Sequence, residues 1–257
     1  MNKIEAIARR LFPNNELCRC GGDHVICLQC AVCRADQPDQ LWNPSQGIAA
    51  VIDATVLKAN ASQEEVNTLC EVANDHHCAS VCVNSWFSHI VRLRLANPVK
   101  NCTVINFPLG AGCLEAVVEE AKAVIQHGVQ EVDMVQSLSA IRSGHPKLSY
   151  DIVKAVAEVC RKEEVRLKVI LETCYLSEDE IIASCLYAKK AGADFVKTST
   201  GFGSAGATVE HIKLMRQSVG PKLGVKASGG IRDRATALAM LSAGANRIGA
   251  SSVQALI

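Results

Sequence analysis

The chain has 257 residues, 49% apolar and 21% charged, with a formal net charge of +1. That length accommodates one large domain with an appendage, and the near-neutral charge offers no electrostatic footprint for nucleic acid or an anionic membrane. Aromatic residues, at 4%, supply little base-stacking surface, and no apolar run nears the roughly 20 residues that span a bilayer.

The opening residues, MNKIEAIARRLF, carry charges throughout and lack the apolar centre of a secretory signal, so a cytoplasmic protein is expected. Ile4, Ile7, Ala8 and Leu11 form a short amphipathic stretch. Two readings of it stay open: a docking helix for a partner such as a protein shell, and a helix packed on the chain's own surface. Five of the 13 cysteines then fall within CRCGGDHVICLQCAVC. Cys27, Cys30 and Cys33 stand at C-x2-C-x2-C spacing, with Cys18 and Cys20 upstream and His24 between. Without an export signal, such a cluster reads as thiols or as metal ligands for zinc or an iron–sulfur cluster, not as a disulfide framework. The polar RADQPDQLWNPSQG closes this segment as a linker, so residues 1–47 are expected to form a cysteine-rich extension and residues 48–257 a separate domain.

From Ile48 a regular alternation begins. IAAVIDATVL reads as a strand, followed by SQEEVNTLCEVANDH, a helix with Ser62 as N-cap. CASVCVN and helical SWFSHIVRLRLAN come next, then CTVINFPLG and CLEAVVEEAKAVIQHG, which Gly128 stops. EVDMVQ precedes LSYDIVKAVAEVCRKE, and RLKVILETC precedes SEDEIIASCLYAKKAG. ADFVKTST leads to TVEHIKLMRQSVG, KLGVKASGG to RDRATALAMLSAG, and NRIGASS to a short helical VQALI. Eight strand–helix units imply a parallel sheet with right-handed crossovers and, at this length, a (β/α)8 barrel. The competing architecture is a doubly wound open sheet, but no dinucleotide glycine fingerprint follows the first strand.

Both faces of a barrel strand are covered, so charges inside these runs are not simply solvated. Asp133 in EVDMV, Lys168 in RLKVILETC, Lys197 in DFVKTST and Lys226 in GVKASGG lie toward the strand ends where such folds place active sites, and Asp53 of VIDATVLK joins them. The plain alternative is an interior salt-bridge network, but three lysines against two aspartates leave a surplus positive charge. A lysine amine is nucleophilic only when deprotonated, and burial with a neighbouring cation favours that form. Lys197 is therefore the candidate imine-forming nucleophile, with Lys226 on the next strand as the cation that keeps it neutral. The turns STGFG, ASGG and GASS add backbone N–H groups and hydroxyls at the same end. Gly229, Gly230, Ser251 and Ser252 stand after the seventh and eighth strands, where barrels commonly hold a phosphate.

VIDATVLKANAS, VCVN, INFPLGAG, EVDMV, LKVILETC, ADFVKTSTGFGSAGATVEHIKLM, GVKASGGIR and RIGASS resemble, in order from Ile48 to the C-terminus, the strand motifs of the deoxyribose-phosphate aldolase family. The resemblance implies a class I aldolase that interconverts 2-deoxyribose 5-phosphate with glyceraldehyde 3-phosphate and acetaldehyde. It implies Lys197 as the Schiff-base lysine, Lys226 as its partner and Asp133 as the proton-transfer carboxylate. Gly201, Gly229, Gly230, Ser251 and Ser252 would hold the phosphate, and Asp53, Thr55, Cys82, Lys168 and Thr200 would line the pocket. It further implies no cofactor for catalysis and a homo-oligomer, a dimer. Ala54 and Ala59 replace the histidine and proline often found in the family's first motif. The tyrosine-ended tail of some members has no counterpart after Ile257, which implies slower proton exchange on the enamine, or exchange through water. Two other readings remain: a related imine-forming lyase for another phosphorylated aldehyde, and a non-catalytic metal-binding or interaction module.

Overall fold

Val, Ile and Leu dominate the eight strand runs, and in the computed structural model, which describes residues 2–13 and 47–257, all eight pair in parallel. They are β1 (Ile52–Val56), β2 (Ser80–Val83), β3 (Lys100–Ile105), β4 (Glu131–Val135), β5 (Arg166–Ile170), β6 (Phe195–Lys197), β7 (Gly224–Ser228) and β8 (Arg247–Ala250). Each strand pairs with the next in chain order, and β8 closes on β1 with Ile52 opposite Ile248. The closed barrel rules out the open doubly wound sheet. Alternation along each strand then sorts the side chains. Val81, Val132, Met134, Val169, Val196, Val225 and Ile248 pack in the main core beneath the helices. The opposite phase points into the barrel. Register brings Lys197 opposite Lys226, Asp133 opposite Lys168 and Cys82 opposite Cys102, so each pair shares one face.

The helices among the described residues are α1 (Lys3–Leu11), α2 (Gln63–Asp75), α3 (Ser88–Arg92), α4 (Leu114–Gln126), α5 (Leu138–Arg142), α6 (Pro146–Lys162), α7 (Glu178–Ala191), α8 (Val209–Val219) and α9 (Arg234–Ser242). Ser62 caps α2 as expected: Glu65 N–H donates to its Oγ at 3.1 Å, and its own N–H donates to Glu65 Oε2 at 2.7 Å. This reciprocal box satisfies two otherwise orphaned donors. Gly128 follows the end of α4 with φ +79°, a left-handed stop that favours glycine.

Two helical expectations are corrected. SWFSHIVRLRLAN yields a 3-10 turn, Ser85–Phe87, and the five-residue α3, and its helix stops at Arg92. Beyond it the Asn74 side chain donates to Arg94 O at 2.9 Å and accepts from Ala96 N–H at 2.9 Å, so this side chain takes over backbone groups that a longer helix would pair. VQALI forms a turn instead of a helix, with Leu256 N–H donating to Val253 O at 2.9 Å. No helix N-terminus therefore follows β8 in support of an anion site.

The amphipathic stretch is helical and lies on the barrel's own surface. Ile7, Ala8 and Phe12 bury against Ile182 and Leu186 of α7. Lys3 pairs with Glu178 and Asp179, the Phe12 ring meets Tyr187 edge-on, and Lys190 lies over Phe12. Cys18, Cys20, Cys27, Cys30 and Cys33, with the linker, lie outside the described residues. No helix among those described is long and apolar enough to cross a membrane.

Candidate active site

Lys197 ends β6 at the floor of an open cavity of about 790 Å³ at the C-terminal mouth. Its Nζ donates to Asp133 Oδ2 at 2.7 Å. Lys226 donates to the same oxygen at 2.8 Å and also to Asp53. Lys168 reaches Asp133 Oδ1 at 2.8 Å and Glu131 Oε2 at 2.6 Å, with Asp53 Oδ2 at 3.8 Å. Arg247 completes the set, contacting Asp53 Oδ1 at 2.7 Å and Glu131 Oε2 at 3.1 Å. All these side chains are at least 95% buried.

The ion-paired interior thus holds four cations, Lys168, Lys197, Lys226 and Arg247, against three carboxylates, Asp53, Glu131 and Asp133. Half-exposed Arg166 adjoins from outside, 3.8 Å from Glu131. Burial favours the neutral form of each carboxylate, but the cations outweigh it. Lys168, Lys197 and Lys226 hold Asp133 well below the usual carboxylate range, and Arg247, Lys226 and Lys168 do the same for Asp53. Burial opposes the charge on Lys226 too, yet Asp133 and Asp53 raise it well above the ordinary lysine value. Lys226 is therefore a fixed cation beside Lys197. Lys168 is raised likewise, against burial, by Asp133, Cys102 and Glu131.

Asp133 is the hub, and its removal should be felt in stability. Asp133→Asn leaves four buried cations facing two carboxylates, and breaking such a buried pair typically costs about 3–5 kcal/mol. The urea midpoint should fall accordingly at unchanged slope. An unaltered midpoint would show that the network tolerates the surplus without strain.

The other predicted residues divide by depth. Thr55, Thr200, Gly201, Gly229, Gly230 and Ser251 line the cavity with Lys197, and exposed Ser252 follows next along the chain. Gly201, Gly229 and Gly230 have φ of +89°, +82° and +79°, conformations that favour glycine. A Cβ at Gly201 or Gly230 would meet nothing within 4 Å, so these turns present bare backbone to open space. Thr55 donates its hydroxyl to Asp53 O at 2.8 Å. Asp53, Cys82 and Lys168 lie beneath, fully buried. Lys168 spends its donors on Asp133, Glu131 and the Cys102 sulfur, 3.4 Å away. Cys82, Cys102 and Asp133 bring their ligand atoms within 4.8 Å of one another, but the lysines that crowd Asp133 make this a repulsive seat for a cation.

Sequence reasoning missed Glu131 and Arg247, which carry the same signal as Asp133, a charge inside a strand, but sit at strand starts. It also missed Lys58 and Arg232, exposed cations on the cavity wall, and Glu172. Lys58 follows β1 and Arg232 follows β7, on either side of the turn after β8, where Ser251 stands.

A closed parallel barrel whose mouth opens on a buried, carboxylate-paired lysine beside glycine turns is suited to an enzyme that uses a lysine amine as its nucleophile. Residues 48–255 match the DeoC/LacD family aldolase model, and the chain belongs to that family. It is 51% identical over 211 residues to the deoxyribose-phosphate aldolase of Caldanaerobacter subterraneus subsp. tengcongensis, covering 80% of this chain and 90% of that one. The Brevibacillus brevis deoxyribose-phosphate aldolase is 50% identical over 202 residues, covering 78% and 90%. Among solved structures, a putative deoxyribose-phosphate aldolase from Coccidioides immitis superposes with a TM-score of 0.76 at 38% identity, covering 79% and 81%. The tetrameric deoxyribose phosphate aldolase of Aeropyrum pernix gives 0.74 at 32%, covering 81% and 88%.

Proposed function

We propose that the chain is a deoxyribose-phosphate aldolase, reversibly cleaving 2-deoxy-D-ribose 5-phosphate to D-glyceraldehyde 3-phosphate and acetaldehyde through an imine on Lys197. One observation carries the choice of nucleophile: of the three interior lysines, Lys197 alone lines the cavity. The charge balance supports the chemistry. With Lys197 as the free amine, three cations face three carboxylates. Condensation with the substrate aldehyde gives a protonated imine and restores the surplus charge. Breaking the C2–C3 bond sends its electron pair into that imine, so the surplus positive charge passes from the imine to the proton that the C3 hydroxyl gives up to Asp133.

The C3 hydroxyl proton leaves through Asp133, with Lys226 or a water as relay. The enamine then takes a proton at C2, and hydrolysis of the imine releases acetaldehyde. Gly201, Gly229, Gly230, Ser251 and Ser252 would hold the phosphate, with Lys58 and Arg232 supplying positive charge at the wall. Thr55 and Thr200 would contact the sugar, while Asp53, Cys82 and Lys168 support the floor. The proposal includes a cytoplasmic homo-oligomer, a dimer by family resemblance, and a separate role for residues 1–47, in which Cys18, Cys20, Cys27, Cys30 and Cys33 hold zinc or an iron–sulfur cluster not used in catalysis.

The test is acetaldehyde release from 2-deoxyribose 5-phosphate by the full chain and by a variant beginning at Gly47, with elemental analysis of both. Both should be active, with metal in the full chain alone. The shorter one should melt lower, because it loses the cover that Ile7, Ala8 and Phe12 give to Ile182 and Leu186. Activity on another phosphorylated aldehyde adduct but not on this sugar would favour the related lyase. Loss of activity with the extension would end the two-part division of the chain.

A further inference from the structure

Glu172 has no part in the imine chemistry, yet the fold holds it at some cost. It follows β5 in the left-handed region, φ +55° and ψ +62°, which a side chain with a Cβ rarely adopts. It is only 2% exposed and, unlike Asp53, Glu131 and Asp133, has no cation among its partners in the described residues. A buried carboxylate needs strong donors to persist. Here they come from one residue: Thr200 N–H lies 3.3 Å from Oε1 and 3.2 Å from Oε2, and the Thr200 hydroxyl also donates to Oε2. The Cys174 thiol is 3.9 Å from Oε1. A Cβ on Gly203 would come within 3.2 Å of the carboxyl group, so the turn after β6 closes tightly over it.

The consequence lies in the hydroxyl of Thr200. A threonine hydroxyl has one hydrogen and two acceptor lone pairs. Its hydrogen goes to Glu172, and one lone pair receives Phe202 N–H at 3.0 Å. What remains is a single lone pair on a residue that lines the cavity. We propose that Glu172 is a positioning residue that commits Thr200 to act as a hydrogen-bond acceptor, one that reads a donor hydroxyl on the substrate.

The inference rests on the functional reading above, which identifies that hydroxyl. Lys197, Thr200 and Gly201 succeed one another along one segment, from the imine nitrogen toward the phosphate turns. The substrate runs the same way: C1 on Lys197, the reacting C3 oxygen near Asp133, then C4, then the phosphate on C5. Thr200 therefore falls beside the C4 hydroxyl, which is the C2 hydroxyl of glyceraldehyde 3-phosphate. Glutamine at position 172 would keep an oxygen for Thr200 N–H but turn an N–H toward Thr200 Oγ1. The threonine hydrogen, released, would then point into the cavity, and the substrate hydroxyl would have to turn and accept where it had donated.

The experiment runs the reaction in the condensation direction, pairing acetaldehyde with either glyceraldehyde 3-phosphate or 3-phosphooxypropanal, which lacks that hydroxyl. The wild-type protein should prefer the hydroxylated acceptor by about tenfold in kcat/KM, the size expected for one well-placed hydrogen bond. Glu172→Gln should bring the two acceptors close to parity, with the whole loss on glyceraldehyde 3-phosphate. Equal losses on both acceptors, the mark of a merely structural residue, would overturn the proposal, and so would a preference left intact. A neutron structure of the wild-type protein tests the same point without any variant. Deuterium on Thr200 Oγ1 directed at Glu172 supports the assignment, whereas deuterium on Glu172 or directed into the cavity defeats it. That readout stands even if the wild type forms no deoxyribose 5-phosphate, a result that would instead sink the functional reading.

Discussion

Lys197→Ala should abolish turnover, with kcat falling by at least about ten-thousandfold, the loss typical when a covalent nucleophile is removed. The variant should nonetheless fold. Without Lys197 the interior keeps Lys168, Lys226 and Arg247 against Asp53, Glu131 and Asp133, a balanced set. Near-native melting with absent activity is the expected pair of results. Substantial residual turnover, on the order of a hundredth of wild type, would mean that another group performs the covalent step.

Lys226→Leu should also be severe, by about a hundred- to a thousandfold near neutral pH, comparable to other losses of a proton-transfer or electrostatic partner. The reason differs. Lys226 donates to the oxygen of Asp133 that also receives Lys197. Removing this cation leaves Lys168, Lys197 and Arg247 against the three carboxylates, so the balanced state is now the one in which Lys197 is charged. The charged amine is not a nucleophile, so raising the pH should recover part of the lost rate. A uniformly depressed profile without alkaline recovery would assign Lys226 to proton transfer or positioning instead.

These two residues were legible in the sequence because a barrel strand has a strict period of two and both faces covered. A lysine in DFVKTST or GVKASGG has to point either under the helices or into the barrel, and neither place tolerates an idle charge. The same rule extended to strand starts would have found Glu131 and Arg247, so their omission came from attending to the C-terminal ends alone. Glu172 was a different case. It follows the strand in ETC, where polar residues are ordinary, and the partner that bonds it is Thr200, 28 positions along the chain. No local pattern carries that contact. The amphipathic period of α1 was plain, but the apolar face of a helix does not name what covers it. Ile182 and Leu186, which do cover it, read only as part of another helix. The short α3 shows the converse limit: apolar spacing extends past Arg92, but the Asn74 side chain bonds Arg94 and Ala96 and so takes over the backbone groups a continuing helix would use.

The central claim is that Lys197 forms the imine, and borohydride trapping tests it most directly. Reduction during turnover of 2-deoxyribose 5-phosphate converts an imine to a stable secondary amine, and peptide mapping then locates it. The account predicts one modified lysine, Lys197, in the peptide that carries ADFVKTSTGFG, with activity lost in proportion to modification. An adduct on Lys168 or Lys226, or inactivation without any lysine adduct, would contradict it.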